Sequence, residues 1–158
     1  MPHVVIPVLN EAGALPDLLA AMPPGYTAVV ADNGSTDGSG DIARRFGAVV
    51  VDQPVRGFGA ACWAGLVAAE PEDGVVCFMD GDGSLDPADL LGVAAPVLAG
   101  TSDLVLGARR PTVAGAWPVH ARLANRFLAF EIGRRTGRRA CRRARRHAAT
   151  GRSSRSPR

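Results

Sequence analysis

The chain has 158 residues, 47% of them apolar, which suits one modest domain with a buried core and argues against a disordered protein. Its formal charge of +3 conceals two unlike regions, because 11 of the 18 basic residues, all arginine, fall in the last 25 positions, where there is no acid. The acidic body would repel a phosphate backbone, so nucleic acid ranks last among partners and would rest on the tail alone.

No apolar stretch approaches the roughly 20 residues of a membrane span. The opening MPHVVIPV enters a strand at once, without the basic and apolar regions of a signal peptide, so a cytoplasmic protein is expected. Cys62, Cys77 and Cys141 are odd in number and lack paired spacing, which favours reduced thiols over disulfides or zinc. His3, His120 and His147 show no ligand spacing either.

Short β-branched runs alternate with alanine- and leucine-rich segments, the rhythm of βα units on a parallel sheet. The first strand is expected over residues 3–8 and the first helix over 12–22, stopped by Pro23, Pro24 and Gly25. A strand over 27–31 ends in the acidic turn DNGSTD, where Asp32, Asn33, Ser35 and Asp37 offer acceptors suited to a base or a ribose. A helix over 41–46, a strand over 48–51 and a glycine-led helix over 57–69 follow. The fourth strand, over 75–79, runs into DGDGSLDP, and Pro87 and Asp89 mark the start of another helix. A fifth strand is expected over 103–106 and a last helix over 121–132. Trp63, Phe78 and Phe127 lie in apolar periodic segments and are expected in the core, whereas Trp117 sits in a loop.

Acidic clusters at strand ends are where parallel sheets hold ligands. Asp80 and Asp82 flank one glycine, so two carboxylates can lean toward one point and hold a hard divalent cation against a diphosphate. The competing reading for these aspartates is a polar turn that caps the next helix, and Asp37 is as well explained by a cap as by a ligand.

The segments VIPVLNE at 5–11, VVADNGSTD at 29–37, RGFGAA at 56–61, MDGDGSLDP at 79–87 and LVLGAR at 104–109 together resemble the family 2 glycosyltransferases of GT-A fold. Within them the pattern is similar to the dolichyl-phosphate mannose and glucose synthase branch. The resemblance implies a Rossmann-like α/β nucleotide-sugar-binding domain over 1–133, a mostly parallel sheet flanked by helices; the arginine-rich stretch over 134–158, with no apolar face to bury, is expected to be a disordered tail. It also implies hexose transfer from a nucleoside-diphosphate sugar, with Mg2+ or Mn2+, to an acceptor such as a polyprenyl phosphate. Work on a lipid phosphate would place the cytoplasmic chain at the inner face of the membrane.

By the same resemblance Pro7, Asn10, Glu11, Asp32, Asn33, Arg56, Gly57 and Asp80 bind the donor nucleotide. Asp80 and Asp82 bind the metal, and Arg109 neutralises phosphate. Ser84 stands where a further polar metal ligand often follows, with Asp86 as its substitute. No acceptor-side catalytic residue is found, because the chain turns into the arginine tail where acceptor elements would follow. The tail reads equally as a genuine basic arm or as a truncation or shifted frame after about residue 137. The alternative function is therefore an inactive nucleotide-sugar-binding module without an acceptor site. Nucleotidyltransferases share an α/β core and metal carboxylates, but LNEAGALP lacks their glycine-rich basic opening loop.

Overall fold

A computed structural model of the protein describes residues 1–72, 74–107 and 134. The chain divides into two compact units, Met1–Val105 and Leu106–Arg158, and the first carries every element that follows. Four parallel strands, β1 (His3–Val8), β2 (Thr27–Asp32), β3 (Val49–Asp52) and β4 (Val76–Phe78), form one sheet in the order β3-β2-β1-β4. The helices are α1 (Leu15–Ala20), α2 (Ser39–Arg45), α3 (Phe58–Ala68) and α4 (Asp89–Leu98). This is the expected α/β architecture.

Alternation along β1 explains the layering. Val4, Ile6 and Val8 point to the face that gathers Leu15, Leu18 and Leu19 of α1, Ala43 of α2 and Leu90 and Ala94 of α4 into one buried cluster. Val5 points to the other face, which belongs to α3. A Cβ on Gly65 would stand 2.4 Å from Val5 Cγ1, so a glycine at that position is what lets α3 lie directly on β1 and β2. The strands are nearly all apolar because both faces are covered along the middle of the sheet.

Trp63 and Phe78 depart from expectation: they are 66% and 52% exposed. α3 seats itself through Ala61 and Gly65, and Trp63 lies about 200° around the helix from Ala61, on the outer side. Phe78 pairs with Val5 and so faces the α3 side, but α3 lies over β1, β2 and β3 and stops short of β4. The expected strand over 103–106 is also absent: those residues form no ladder, and Leu104 and Leu106 stand open. An apolar run states what a segment would bury; whether a neighbouring edge is there to receive it is a separate matter, and β4 offers an edge of three residues.

α1 starts three residues later than expected. Asn10 adopts a left-handed φ of 60°, and the Glu11 and Ala12 amides donate to the side chains of Ser39 and Asp37 rather than entering a helix. Cys77 is buried and Cys62 half-buried. No helix among the described residues is long and apolar enough to cross a membrane. Arg109, Trp117, Phe127, Cys141, His120, His147, the helix expected over 121–132 and the tail apart from Arg134 lie outside the described residues.

Candidate donor-binding site

The strand order reverses at β1: the chain moves outward from β1 to β2 and β3, then crosses back under α3 to place β4 on β1's other side. Loops on the two sides of such a reversal part at the carboxyl edge and leave a crevice, the usual ligand position in open α/β sheets. The registers bring the ends together there, with Val8 beside Asp32 and Asp32 beside Asp52. Met79 donates its amide to Val5 O at 3.1 Å, so Asp80 emerges next to the end of β1.

On the β2 side the loops are knitted by side chains. Asn10 N donates to Ser35 Oγ at 3.0 Å, and Asn10 Oδ1 accepts the Thr36 amide at 2.8 Å. Glu11 N donates to Ser39 Oγ at 3.0 Å and Ala12 N to Asp37 Oδ2 at 2.9 Å. Asp37 Oδ1 also accepts the amide and hydroxyl of Ser39. The Ser39 hydroxyl, then the Ala12 amide, hold the Asp37 carboxyl below the usual carboxylate range. Asp37 thus joins the β1–α1 loop to the start of α2.

Asp32 is 9% exposed; its Oδ1 accepts the Ser35 amide at 2.8 Å. Its Oδ2 lies where a Cβ on Gly40 would approach to 2.8 Å, so α2 has a glycine where it passes the carboxylate. Arg44 pairs with Asp41 at 3.1 Å and Asp52 at 3.3 Å on the same outer rim. Asn33, at 4% exposure, directs its side chain to the loop after β3, and the exposed Arg56 donates to Gly34 O at 3.4 Å.

The β4 side is held differently. A Cβ on Gly81 would stand 3.0 Å from Val8 Cγ2 and 3.2 Å from Pro7 O, so the Asp80–Gly81–Asp82 backbone lies against the end of β1 because Gly81 has no side chain. Asp82 Oδ1 accepts the Ser84 amide and Asp86 Oδ1 the Ala88 amide, each at 2.9 Å, two short local turns. Burial, with the Asp80 charge as a second cause, raises the pKa of the Cys62 thiol.

The structure therefore brings Pro7, Asn10, Glu11, Asp32, Asn33, Arg56, Gly57, Asp80 and Asp82 to one edge of the sheet. It shows Asn10, Asn33, Ser35 and Asp37 engaged with other parts of the protein. Two contributors were not singled out from sequence, Ser39 and Gln53. Their one signal was polarity next to a glycine turn and a strand end, which many surface positions share. No group of three or more His, Cys, Asp and Glu converges among the described residues. Two carboxylates spaced as Asp80 and Asp82 suit a hard cation that keeps water and takes its other ligands from a diphosphate.

The sheet order and its flanking helices define an α/β domain of the GT-A type. The sequence model of glycosyl transferase family 2 matches residues 3–154, and the chain belongs to that family. An uncharacterized glycosyltransferase of Mycobacterium tuberculosis is 43% identical over 129 residues, 82% of this chain and 58% of the relative. An uncharacterized protein of Methanocaldococcus jannaschii is 33% identical over 112 residues, 67% of this chain and 45% of its own. The chain thus spans less than two thirds of these relatives.

Among solved structures, glucosyl-3-phosphoglycerate synthase from Mycobacterium tuberculosis, in complex with Mn2+ and uridine-diphosphate-glucose, matches with a TM-score of 0.55 and 30% identity. That match covers 63% of this chain and 40% of the synthase. Mannosyl-3-phosphoglycerate synthase from Rubrobacter xylanophilus has the same fold at a TM-score of 0.56 and 24% identity, over 62% of this chain and 36% of its own.

Proposed function

We propose that the chain carries the donor site of a metal-dependent hexosyltransferase that takes a nucleoside-diphosphate sugar, with the catalytic domain spanning 1–133 and the basic tail appended over 134–158. The observation that carries this reading is the gathering, at the strand-order reversal, of Asp32 and Glu11 on one side and Asp80 and Asp82 on the other. In this reading Asp32 meets the base, and Pro7, Asn10 and Glu11 line the nucleoside. Arg56 and Gly57 close over the nucleotide, and Asp80 and Asp82 hold Mg2+ or Mn2+ at the diphosphate. The complex of the synthase with Mn2+ and uridine-diphosphate-glucose supports both the cofactor and a uridine donor.

Breaking a sugar–phosphate bond leaves charge on the departing diphosphate, which a cation held by Asp80 and Asp82 would neutralise. The chain's own contribution is to fix the nucleoside so that the sugar faces the acceptor, with Arg109 as a second cation for phosphate. An acceptor that is already an anion needs little help from a general base. Resemblance to the dolichyl-phosphate branch supports a polyprenyl phosphate acceptor, met at the inner membrane face. The synthase bound to phosphoglyceric acid supports a small phosphorylated acid instead. Both present a phosphate.

A second reading is donor binding without transfer, favoured by a sheet edge whose gathered residues, among those described, all belong to the proposed donor side. Calorimetric titration with UDP-glucose and GDP-mannose, with and without Mn2+, tests the common part. Asp80→Asn with Asp82→Asn is expected to weaken Mn2+-dependent affinity by at least about tenfold, the loss of a charged metal contact. Unchanged affinity would sink the donor-site reading. Product formation from bound donor with 3-phosphoglycerate or a polyprenyl phosphate separates transfer from binding alone.

A further inference from the structure

We propose that Asn33 is a positioning residue: its amide sets where Arg56 and Gly57 stand, and it governs nucleoside-diphosphate affinity through that loop rather than by touching the ligand. The nucleotide half rests on the donor-site reading above; the loop half stands without it.

An asparagine amide has two N–H donors and one carbonyl oxygen. Here all are used. Nδ2 donates to Gln53 O at 2.9 Å and Val55 O at 2.8 Å, and Oδ1 accepts the Gly57 amide at 2.7 Å. The three partners fall within residues 53–57, the loop between β3 and α3. The orientation of the amide follows from them, because a flip would set the oxygen against two carbonyls and the NH2 against an N–H.

The base of this clasp is fixed as well. Asn33 N donates to Val8 O at 2.9 Å, tying it to the central strand, and the side chain is shielded at 4% exposure. Gly57 takes φ 141° and ψ 137°, outside the range of most side-chain-bearing residues, as its amide turns to Asn33 Oδ1. Gln53 completes the loop from within, accepting the Val55 amide at 2.9 Å. Arg56 reaches Gly34 O, so consecutive residues 33 and 34 hold the two loop residues assigned to the nucleotide.

Aspartate has the same shape and lacks both hydrogens. At position 33 it would press carboxylate oxygen toward two carbonyls in a shielded site, which releases the loop. The test uses the full chain as wild type, N33D, R56A and the double variant. Limited trypsin digestion reads the loop at the Arg56–Gly57 bond, with the bond after Arg45 as an internal reference. Cleavage after Arg56 is expected to accelerate at least tenfold in N33D while cleavage after Arg45 changes less than twofold. Equal acceleration at both bonds would mean general loosening and would overturn the proposal.

Calorimetry with UDP and Mn2+ supplies the second arm. N33D is expected to weaken UDP at least tenfold in the wild-type background and less than twofold in the R56A background, the coupling of residues acting through one element. Additive losses would mean that Asn33 contacts the nucleotide directly, and the proposal fails. Should N33D not fold, amide exchange in the wild-type chain decides the loop half: the Gly57 amide must exchange at least tenfold more slowly than that of Arg56. A wild-type chain that binds no UDP removes the donor-site reading, whereas the cleavage and exchange results still decide what holds the loop.

Discussion

The two flanks of the crevice are held by different means. On the β2 flank, side chains reach across 20 or more positions of sequence to bond backbone amides and carbonyls, as Asn10, Asn33 and Asp37 do. On the β4 flank the DGDG segment is placed by close approach, with Gly81 against Val8 and Pro7 and Gly83 against Ala14. Hydrogen-bonded loops fix direction and tolerate little chemical change; glycine-packed loops fix distance and tolerate little change of size. In the proposed donor site the β2 flank would hold the nucleoside and the β4 flank the metal and diphosphate.

The largest effect that sharpens this contrast is expected at Gly81. Gly81→Ala places a methyl against Val8, Pro7 O and Ile6, with a cost of about 3 kcal/mol read by urea denaturation. The same variant should weaken Mn2+-dependent UDP binding, because Asp80 and Asp82 move with the backbone. A stable, fully binding Gly81→Ala chain would show that size does not hold the β4 flank.

A smaller effect is expected on the β2 flank. Asn10→Gly keeps the left-handed backbone at φ 60° and loses the bond to Thr36, for about 1 kcal/mol. Asn10→Ala loses the bond and adds left-handed strain, for about 1 kcal/mol more. Equal stabilities of the two variants in chemical denaturation would show that the loop relaxes out of this conformation.

The smallest effect belongs to the exposed Asp37, and it is a pH signature. Its folded pKa lies below the ordinary value of 3.8, so its contribution is present above that value and is lost as pH falls through the lower folded pKa. Wild type should therefore exceed Asp37→Asn in stability at neutral pH, and the two should converge in acid. Unfolding midpoints across the acid range check the sign. A gap that persists below the folded pKa would place the cause outside the carboxylate charge.

Much of this architecture was legible in the sequence, for a physical reason. A strand covered on both faces must be apolar and end at a turn, and β1 and β2 announce themselves that way; β3 and β4, at the sheet edges, are also apolar runs that end at turns. The gathering of Asp32, Asp80 and Asp82 at one edge follows from the same rule, since each stands at or just beyond a strand's carboxyl end. What could not be read was which polar groups face inward to the protein. Asn33 and Asp37 carry ligand-like chemistry, but their partners are the carbonyls and amides of loops remote in sequence. Trp63 was misplaced because α3 is apolar all round, and only the seat of Gly65 on Val5 decides which side is buried. Residues 103–106 failed as a strand because apolarity does not supply a pairing edge.

The central place of β1 in the sheet bears on how the chain comes together. β1 is made before β4, and its second ladder, His3 with Val76 through Val5 with Phe78, awaits a strand made roughly seventy residues later. Until then the nascent domain has an open parallel edge along its most apolar strand, the kind of surface that recruits chaperones or neighbouring chains. Synthesis past the DGDG turn closes that edge and forms the crevice in the same event, so the step that completes the sheet also creates the proposed donor site.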